Sequence, residues 1–309
     1  MSAGLPDARL IAVGPHNAAD WLRDAVIGGG GEVVDVARAS ALIWGAAHDA
    51  EGLRDVLASV DNVRWVQLPF AGIENFVPYL DTLRLWTSGK GVYAEPVAEL
   101  CLAFLLSGLR HIIGYARTDH WSVDHGRNLF DARVVIVGGG GIAESLVELL
   151  CPFRVRITVV RARVAPMAGV HEVVGRDRLH DVLAGADAVV LACALTPHTE
   201  RMIGDVEFAL MRNDAWVVNV GRGRLIDTNG LVRALESGAI GGAALDVTDP
   251  EPLPADHPLW RLSNCVITPH VGNTREMAVP LLSARVRENC RRWIAGAPLI
   301  GAVDVSLGY

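Results

Sequence analysis

The chain is poor in lysine: Lys90 is the only one, and the other 27 of its 28 basic residues are arginines. Cysteine is sparse as well. Cys101, Cys151, Cys193, Cys265 and Cys290 are odd in number, far apart and without a CxxC pair. That spacing excludes a disulfide framework and a zinc site, and it fits reduced thiols in a cytoplasmic protein. Long apolar runs are missing too. The most apolar stretch, residues 97–109, is short and contains Glu99, which excludes a bilayer span. Between Met1 and Pro15 there is no basic segment leading into an apolar core, so no signal peptide is expected. Low-complexity linkers, short repeats and charge blocks are also absent. The formal net charge of −7 argues against wrapping nucleic acid or binding an acidic membrane.

What is present describes a globular protein. The 309 residues are 51% hydrophobic and 20% charged, and at roughly 150 residues per domain they suggest about two domains. Strand-like runs at 9–13, 32–36, 41–44 and 63–68 alternate with helical patterns at 18–26 and 50–58. A long helix is expected from about Pro96 to about Arg117, with Ala98, Leu102, Leu105 and Leu109 on one stripe. A second alternating series follows. Strands are expected at 133–137, 155–160, 188–192, 215–220, 242–247 and 265–268. Helices are expected at 142–150, 228–236 and 276–295, and another from Thr196-Pro197. The alternation predicts parallel sheets with helical crossovers. Boundaries are expected near residues 90–98 and 274–278.

The strongest local signal is the run Val134 to Glu144, in which a buried strand meets Gly138-x-Gly140-x-x-Ala143 and a helix follows. Gly138 permits a tight turn and Gly140 a close approach to a pyrophosphate. Ala143 lets helix and strand pack closely, and the helix start offers N–H groups to the phosphates. A carboxylate about 20 positions after the first glycine would hold a ribose 2′-hydroxyl. Here the second strand ends in Arg161-Ala-Arg163 with no carboxylate in reach, which favours NADP over NAD. Farther on, Arg222, Glu251 and His270 each follow a strand. Together they offer an anion grip, a carboxylate and a proton carrier.

Several strings agree in order and spacing with one family. They are Ala192-Cys-Ala-Leu-Thr-Pro-His-Thr199, Asn219-Val-Gly-Arg-Gly223, Gly242-Ala-Ala-Leu-Asp246, Glu251-Pro-Leu-Pro254, Pro258-Leu-Trp260 and Thr268-Pro-His-Val271. Upstream lie Val66-Gln-Leu-Pro-Phe-Ala71-Gly72 and Glu95-Pro-Val-Ala-Glu99. The sequence resembles the D-isomer-specific 2-hydroxyacid dehydrogenases, and among them the glyoxylate/hydroxypyruvate reductase-like members. The resemblance implies an α/β fold in which a Rossmann dinucleotide-binding domain (97–276) is inserted in a flavodoxin-like substrate domain (1–96 and 277–309), both with parallel sheets. It implies reduction of a small 2-keto acid by NAD(P)H, in a cytoplasmic homodimer. By the same resemblance Arg222 would grip the substrate carboxylate, His270 would carry the proton and Glu251 would orient it. Ala71, Gly72 and Ile73 would bind the substrate through backbone groups. Gly138, Gly140, Gly141 and Ile142 would hold the pyrophosphate, and Arg161 and Arg163 the 2′-phosphate. Cys193, Ala194, Thr199, Val220, Gly221 and Asp246 would line the nicotinamide and its ribose. No metal is implied. Trp44, Leu68 and Phe70 read equally as pocket wall or as core, and the face after Pro96 and Trp121 as a dimer contact. Departures from the family pattern are Ala143 for the third glycine, Ala194 for a proline and Arg161 for the acidic ribose ligand. Formate or phosphonate oxidation and a non-catalytic dinucleotide sensor are the competing readings.

Overall fold

The computed structural model describes residues 7–306. The chain divides into two compact units, one running up to Tyr93 and resuming at Thr274, the other spanning Ala94–Asn273. In the first unit, strands β1 (Leu10–Gly14), β2 (Glu32–Val33), β3 (Ala41–Trp44), β4 (Trp65–Gln67) and β5 (Leu85–Thr87) form one sheet, ordered β2-β1-β3-β4-β5. Every pairing is parallel. This order is that of a flavodoxin-like sheet. Helices α1 (Asp20–Gly28) and α2 (Ala50–Ala58) are its crossovers. The C-terminal helix, Arg275–Ile294, packs against α1. Gly29 makes this contact possible, since a Cβ there would lie 2.6 Å from Cys290 Cβ.

The second unit opens with α3 (Ala94–Leu109) and α4 (Ile112–Ala116). Its strands are β6 (Arg133–Val137), β7 (Arg156–Val160), β8 (Glu172–Val174), β9 (Ala188–Leu191), β10 (Trp216–Asn219), β11 (Gly242–Leu245) and β12 (Cys265–Ile267). They form a wholly parallel sheet ordered β12-β11-β10-β9-β6-β7-β8. Helices α5 (Gly141–Leu150), α6 (Leu179–Leu183), α7 (Asp205–Leu210) and α8 (Thr228–Ser237) connect them. The chain starts in the middle at β6, fills one edge through β7 and β8, and then returns to the other side at β9. This is the Rossmann arrangement, with its switch point between β6 and β9. Both faces of the sheet are buried. Val135, Val137, Val189 and Leu191 enter one core, and Val134, Ile136, Ala188 and Val190 enter the other. Strands buried on two sides read as continuous apolar runs, which is why they were legible in the sequence.

The structure departs from the expected elements in several places. The helix expected to run from Pro96 to Arg117 breaks at His111, whose φ is +54°. The Leu109 carbonyl, which a continuing helix would use, accepts instead from Arg127 N at 2.7 Å. The stripe on that helix is also largely covered within its own unit, since Ala98, Leu105 and Leu109 are buried and Leu102 is partly so. A helix expected at Thr196-Pro197 is a turn. The Thr199 hydroxyl donates to Ala194 O and accepts from Thr196 N, both at 2.8 Å, and Arg201, with a φ of +49°, reverses the chain. Strands β5 and β8 and helices α6 and α7 were not expected; each is three to six residues long, too short for its periodicity to register.

The last helix, α9 (Arg275–Ile294), is locked to the first sheet by a buried polar network. Asn289 Nδ2 donates to Gln67 Oε1 and to Ile300 O, both at 2.9 Å, and Asn289 Oδ1 accepts from Ile300 N at 2.9 Å. Gln67 Oε1 also accepts from the Thr87 hydroxyl, which accepts from Trp65 Nε1, each at 2.8 Å. Asn289, Gln67 and Thr87 are buried, so an orphaned partner has no water to turn to. Replacing Asn289 by Leu strips partners from Gln67 and Ile300. Urea unfolding followed by tryptophan fluorescence is expected to show a loss of about 2 kcal/mol or more in the first unit's transition.

Candidate active site

At the end of β6 the chain turns through Gly138 with a φ of +116°. A Cβ there would lie 2.5 Å from Ala192 O, so only glycine lets this turn abut the loop after β9. Gly140 faces open space, with nothing within 4 Å of a Cβ built on it. Immediately after it α5 begins at Gly141 and Ile142, whose first-turn N–H groups lack helical partners. Ala143 is fully buried beneath them. Arg161, following β7, lies against the loop, with Cδ and Nε each 2.8 Å from a Cβ position on Gly139. Arg163 is exposed, and no hydrogen bond or ion pair ties it to the loop. Open N–H donors, a clear approach at Gly140 and a cation beside Gly139 suit a dinucleotide, including one with a 2′-phosphate.

The loop after β9 carries Cys193, Ala194 and Thr199. Burial pushes the Cys193 thiol up to about 11, so it is neutral at physiological pH and serves as a small apolar wall. Thr199 is the hub of the turn described above, holding residues 194–199 through its hydroxyl.

Three neighbouring strands, β10, β11 and β12, end side by side. After β10, buried Asn219 brackets the loop: its Oδ1 accepts from Gly221 N at 3.1 Å and its Nδ2 donates to Arg222 O at 2.9 Å. Val220 is buried, and the half-buried Arg222 donates from Nη1 to Gly221 O at 2.7 Å. A Cβ on Gly223 would lie 1.9 Å from Thr248 O, so glycine is required where the loops after β10 and β11 touch.

After β11, the Asp246 carboxylate is buried and fully occupied by the loop after β12. It accepts from the Thr268 hydroxyl at 2.5 Å and from Val271 N and Gly272 N at 2.8 Å, while its own carbonyl accepts from His270 N at 2.9 Å. Inside this clamp His270 takes a φ of +53°. Its Nδ1 is 2.7 Å from Glu251 Oε1, and the two side chains are 52% and 43% exposed. With Nδ1 engaged, Nε2 faces outward for a proton partner. The arrangement offers a guanidinium after β10, a carboxylate after β11 and the imidazole it orients after β12, at the strand ends where open α/β sheets bind ligands.

In the first unit, Ala71, Gly72 and Ile73 follow β4. Phe70 O accepts from Gly89 N and Pro69 O from the Tyr93 hydroxyl, each at 2.9 Å, and buried Ile73 anchors the loop from below. Ala71 is exposed and Gly72 half-buried, which leaves their backbone accessible. Trp44 and Leu68 are core residues at 2% and 0% exposure, and Phe70 alone of the three reaches the surface.

Asn219, Gly223 and Thr268 are the supporting residues that the sequence did not single out. Their signal is positional: Asn219 stands three residues before Arg222, and Thr268 two before His270. Val271 N donates to one Asp246 oxygen and Gly272 N to the other, so Asp246→Asn sets an amide donor against one of these two N–H groups and loosens the loop that both anchor. Amide hydrogen exchange at Val271 and Gly272 is expected to accelerate by tenfold or more, while exchange in β6 is unchanged.

Residues 102–272 match the family model described as D-isomer specific 2-hydroxyacid dehydrogenase, NAD binding domain. A protein in the proB 3′ region of Corynebacterium melassecola is 37% identical over 296 residues, covering 92% of this chain and 95% of its own. Human glyoxylate reductase/hydroxypyruvate reductase is 32% identical over 217 residues, 67% of this chain and 66% of its own length. The crystal structure of a D-isomer specific 2-hydroxyacid dehydrogenase from Xanthobacter autotrophicus Py2, in complex with NADPH and MES, superposes with a TM-score of 0.84 at 25% identity, covering 97% of this chain and 99% of that one. Fold, glycine loop and sequence thus agree that this chain belongs to the D-isomer specific 2-hydroxyacid dehydrogenase family of NAD(P)-dependent oxidoreductases.

Proposed function

We propose that the chain reduces a small 2-keto acid of the glyoxylate or hydroxypyruvate kind to the D-2-hydroxy acid, with NADPH as preferred reductant. The His270–Glu251 pair, set on a strand end beside the Arg222 loop, is the observation that carries this reading. The unit Ala94–Asn273 holds the dinucleotide. Arg222 grips the substrate carboxylate and polarises its keto oxygen; a planar fork suits that task better than an ammonium. His270 delivers a proton from Nε2 to that oxygen, and Glu251 keeps the ring turned so that Nε2 points there. A nicotinamide held by this unit would supply the hydride for the keto carbon. The Asp246 clamp keeps His270 from drifting out of line, and a small misplacement of a proton donor is costly to rate.

Preference for the phosphorylated cofactor rests on Arg161, whose guanidinium lies against Gly139 where other members carry a carboxylate. The human relative named for glyoxylate and hydroxypyruvate, and the Xanthobacter structure holding NADPH, support the same reading.

Steady-state reduction of glyoxylate, hydroxypyruvate and bulkier 2-keto acids with NADPH and with NADH tests it. Turnover is expected with the small acids and NADPH; no turnover with any pair overturns it. His270→Gln is expected to lower kcat by about a thousandfold while leaving cofactor affinity, read by fluorescence titration, within about twofold. Arg161→Ala is expected to lower kcat/KM for NADPH about tenfold and leave that for NADH unchanged. Equal loss with both cofactors would remove the 2′-phosphate role.

A further inference from the structure

A second basic site lies at the opposite end of the Rossmann sheet. A cleft of about 390 Å³ opens where β6, β7 and β8 begin, lined by Arg133, Arg156, Thr158, Glu172, Arg178 and Asp181. Arg133 and Arg156 are register partners on adjacent parallel strands. Side chains at such positions leave the same face of the sheet about 4.8 Å apart, where like charges repel. Among the described residues no carboxylate forms an ion pair with either side chain. Arg178 differs, being paired with Asp181 one helical turn on. Glu172 is in register with Thr158 and not with the arginines, and it forms no ion pair. The Arg133 guanidinium turns inward: its Nη1 lies 3.3 Å from a Cβ position on Gly185, on the turn that closes the cleft. Two guanidiniums without ion-pair partners and a hydroxyl thus line one concavity, where they outnumber the Glu172 carboxylate, and its size suits a small ligand.

From this geometry we propose that the cleft binds a compact, multiply charged oxyanion, a phosphate group or a dicarboxylate. Arg133 and Arg156 each present a fork that takes such an oxygen pair. The Thr158 hydroxyl, two residues beyond Arg156 on the same face of β7, supplies a further donor. The anion relieves the repulsion between the two strand starts and ties β6 to β7 at the end away from Gly138. Residues Arg133 to Val137 separate the two ends of β6, so this ligand and the dinucleotide occupy opposite edges of one sheet.

Calorimetric titration of the intact chain with inorganic phosphate, and separately with malonate, tests the proposal. For either anion a saturable component that persists in the presence of saturating NADP is expected; phosphate alone identifies a phosphate ligand and malonate alone a dicarboxylate. Arg156→Gln, and Arg133→Gln on the neighbouring strand, are each expected to weaken it about tenfold or more. Arg161→Ala at the other edge leaves it unchanged. In chloride buffer both glutamine variants are expected to melt no lower than the parent chain, because a repulsion is gone. Absence of saturable binding, parental affinity in both glutamine variants, or loss of binding in Arg161→Ala overturns the proposal.

Discussion

The candidate site depends on one buried carboxylate. Asp246 gathers a hydroxyl and two backbone N–H groups from the loop after β12, and its own carbonyl takes a third N–H from His270. A charge taken out of water needs several donors, and a loop whose histidine sits at a φ of +53° needs restraint. Each requirement meets the other. Asp246 therefore positions the imidazole through the backbone, and Glu251 turns the ring through its Nδ1.

Close approach is the second constraint. Gly138 against Ala192 O and Gly223 against Thr248 O bring four loops, in two pairs, to within backbone contact at the carboxyl edge of the sheet. A methyl group at either place would force the strands' exits apart. The glycines are thus a matter of geometry, since they set how near the loop after β6 lies to the loop after β9, and the loop after β10 to the loop after β11.

Much of this was legible in the sequence, for definable reasons. Strands buried on both faces appear as unbroken apolar runs, so β6, β7, β9, β10 and β11 were found within one to two residues of their ends. Gly138, Arg222, Glu251 and His270 stood out because each follows such a run. What escaped depends on contacts distant in sequence. The break at His111 is made by Arg127, and the turn at Thr196 is closed by a hydroxyl in place of a helical ladder. No periodicity records either one. The sequence offered Asp246 as a residue beside the nicotinamide ribose and carried no sign of its occupation by residues 268–272. The arginine pair was divided by the fold, which brings Arg161 to the glycine loop and leaves Arg163 exposed.

The bond between Asn289 and Gln67 joins residues 222 positions apart. The unit Ala94–Asn273 is one continuous stretch and lies wholly between them. On the ribosome it can close its sheet before the helix that completes the first unit has been made. The first sheet must wait meanwhile with Gln67 and Thr87 lacking the partner that seals them. Assembly of these units therefore runs from the middle outward: the continuous unit can mature first, and the unit split between two stretches of chain is finished last.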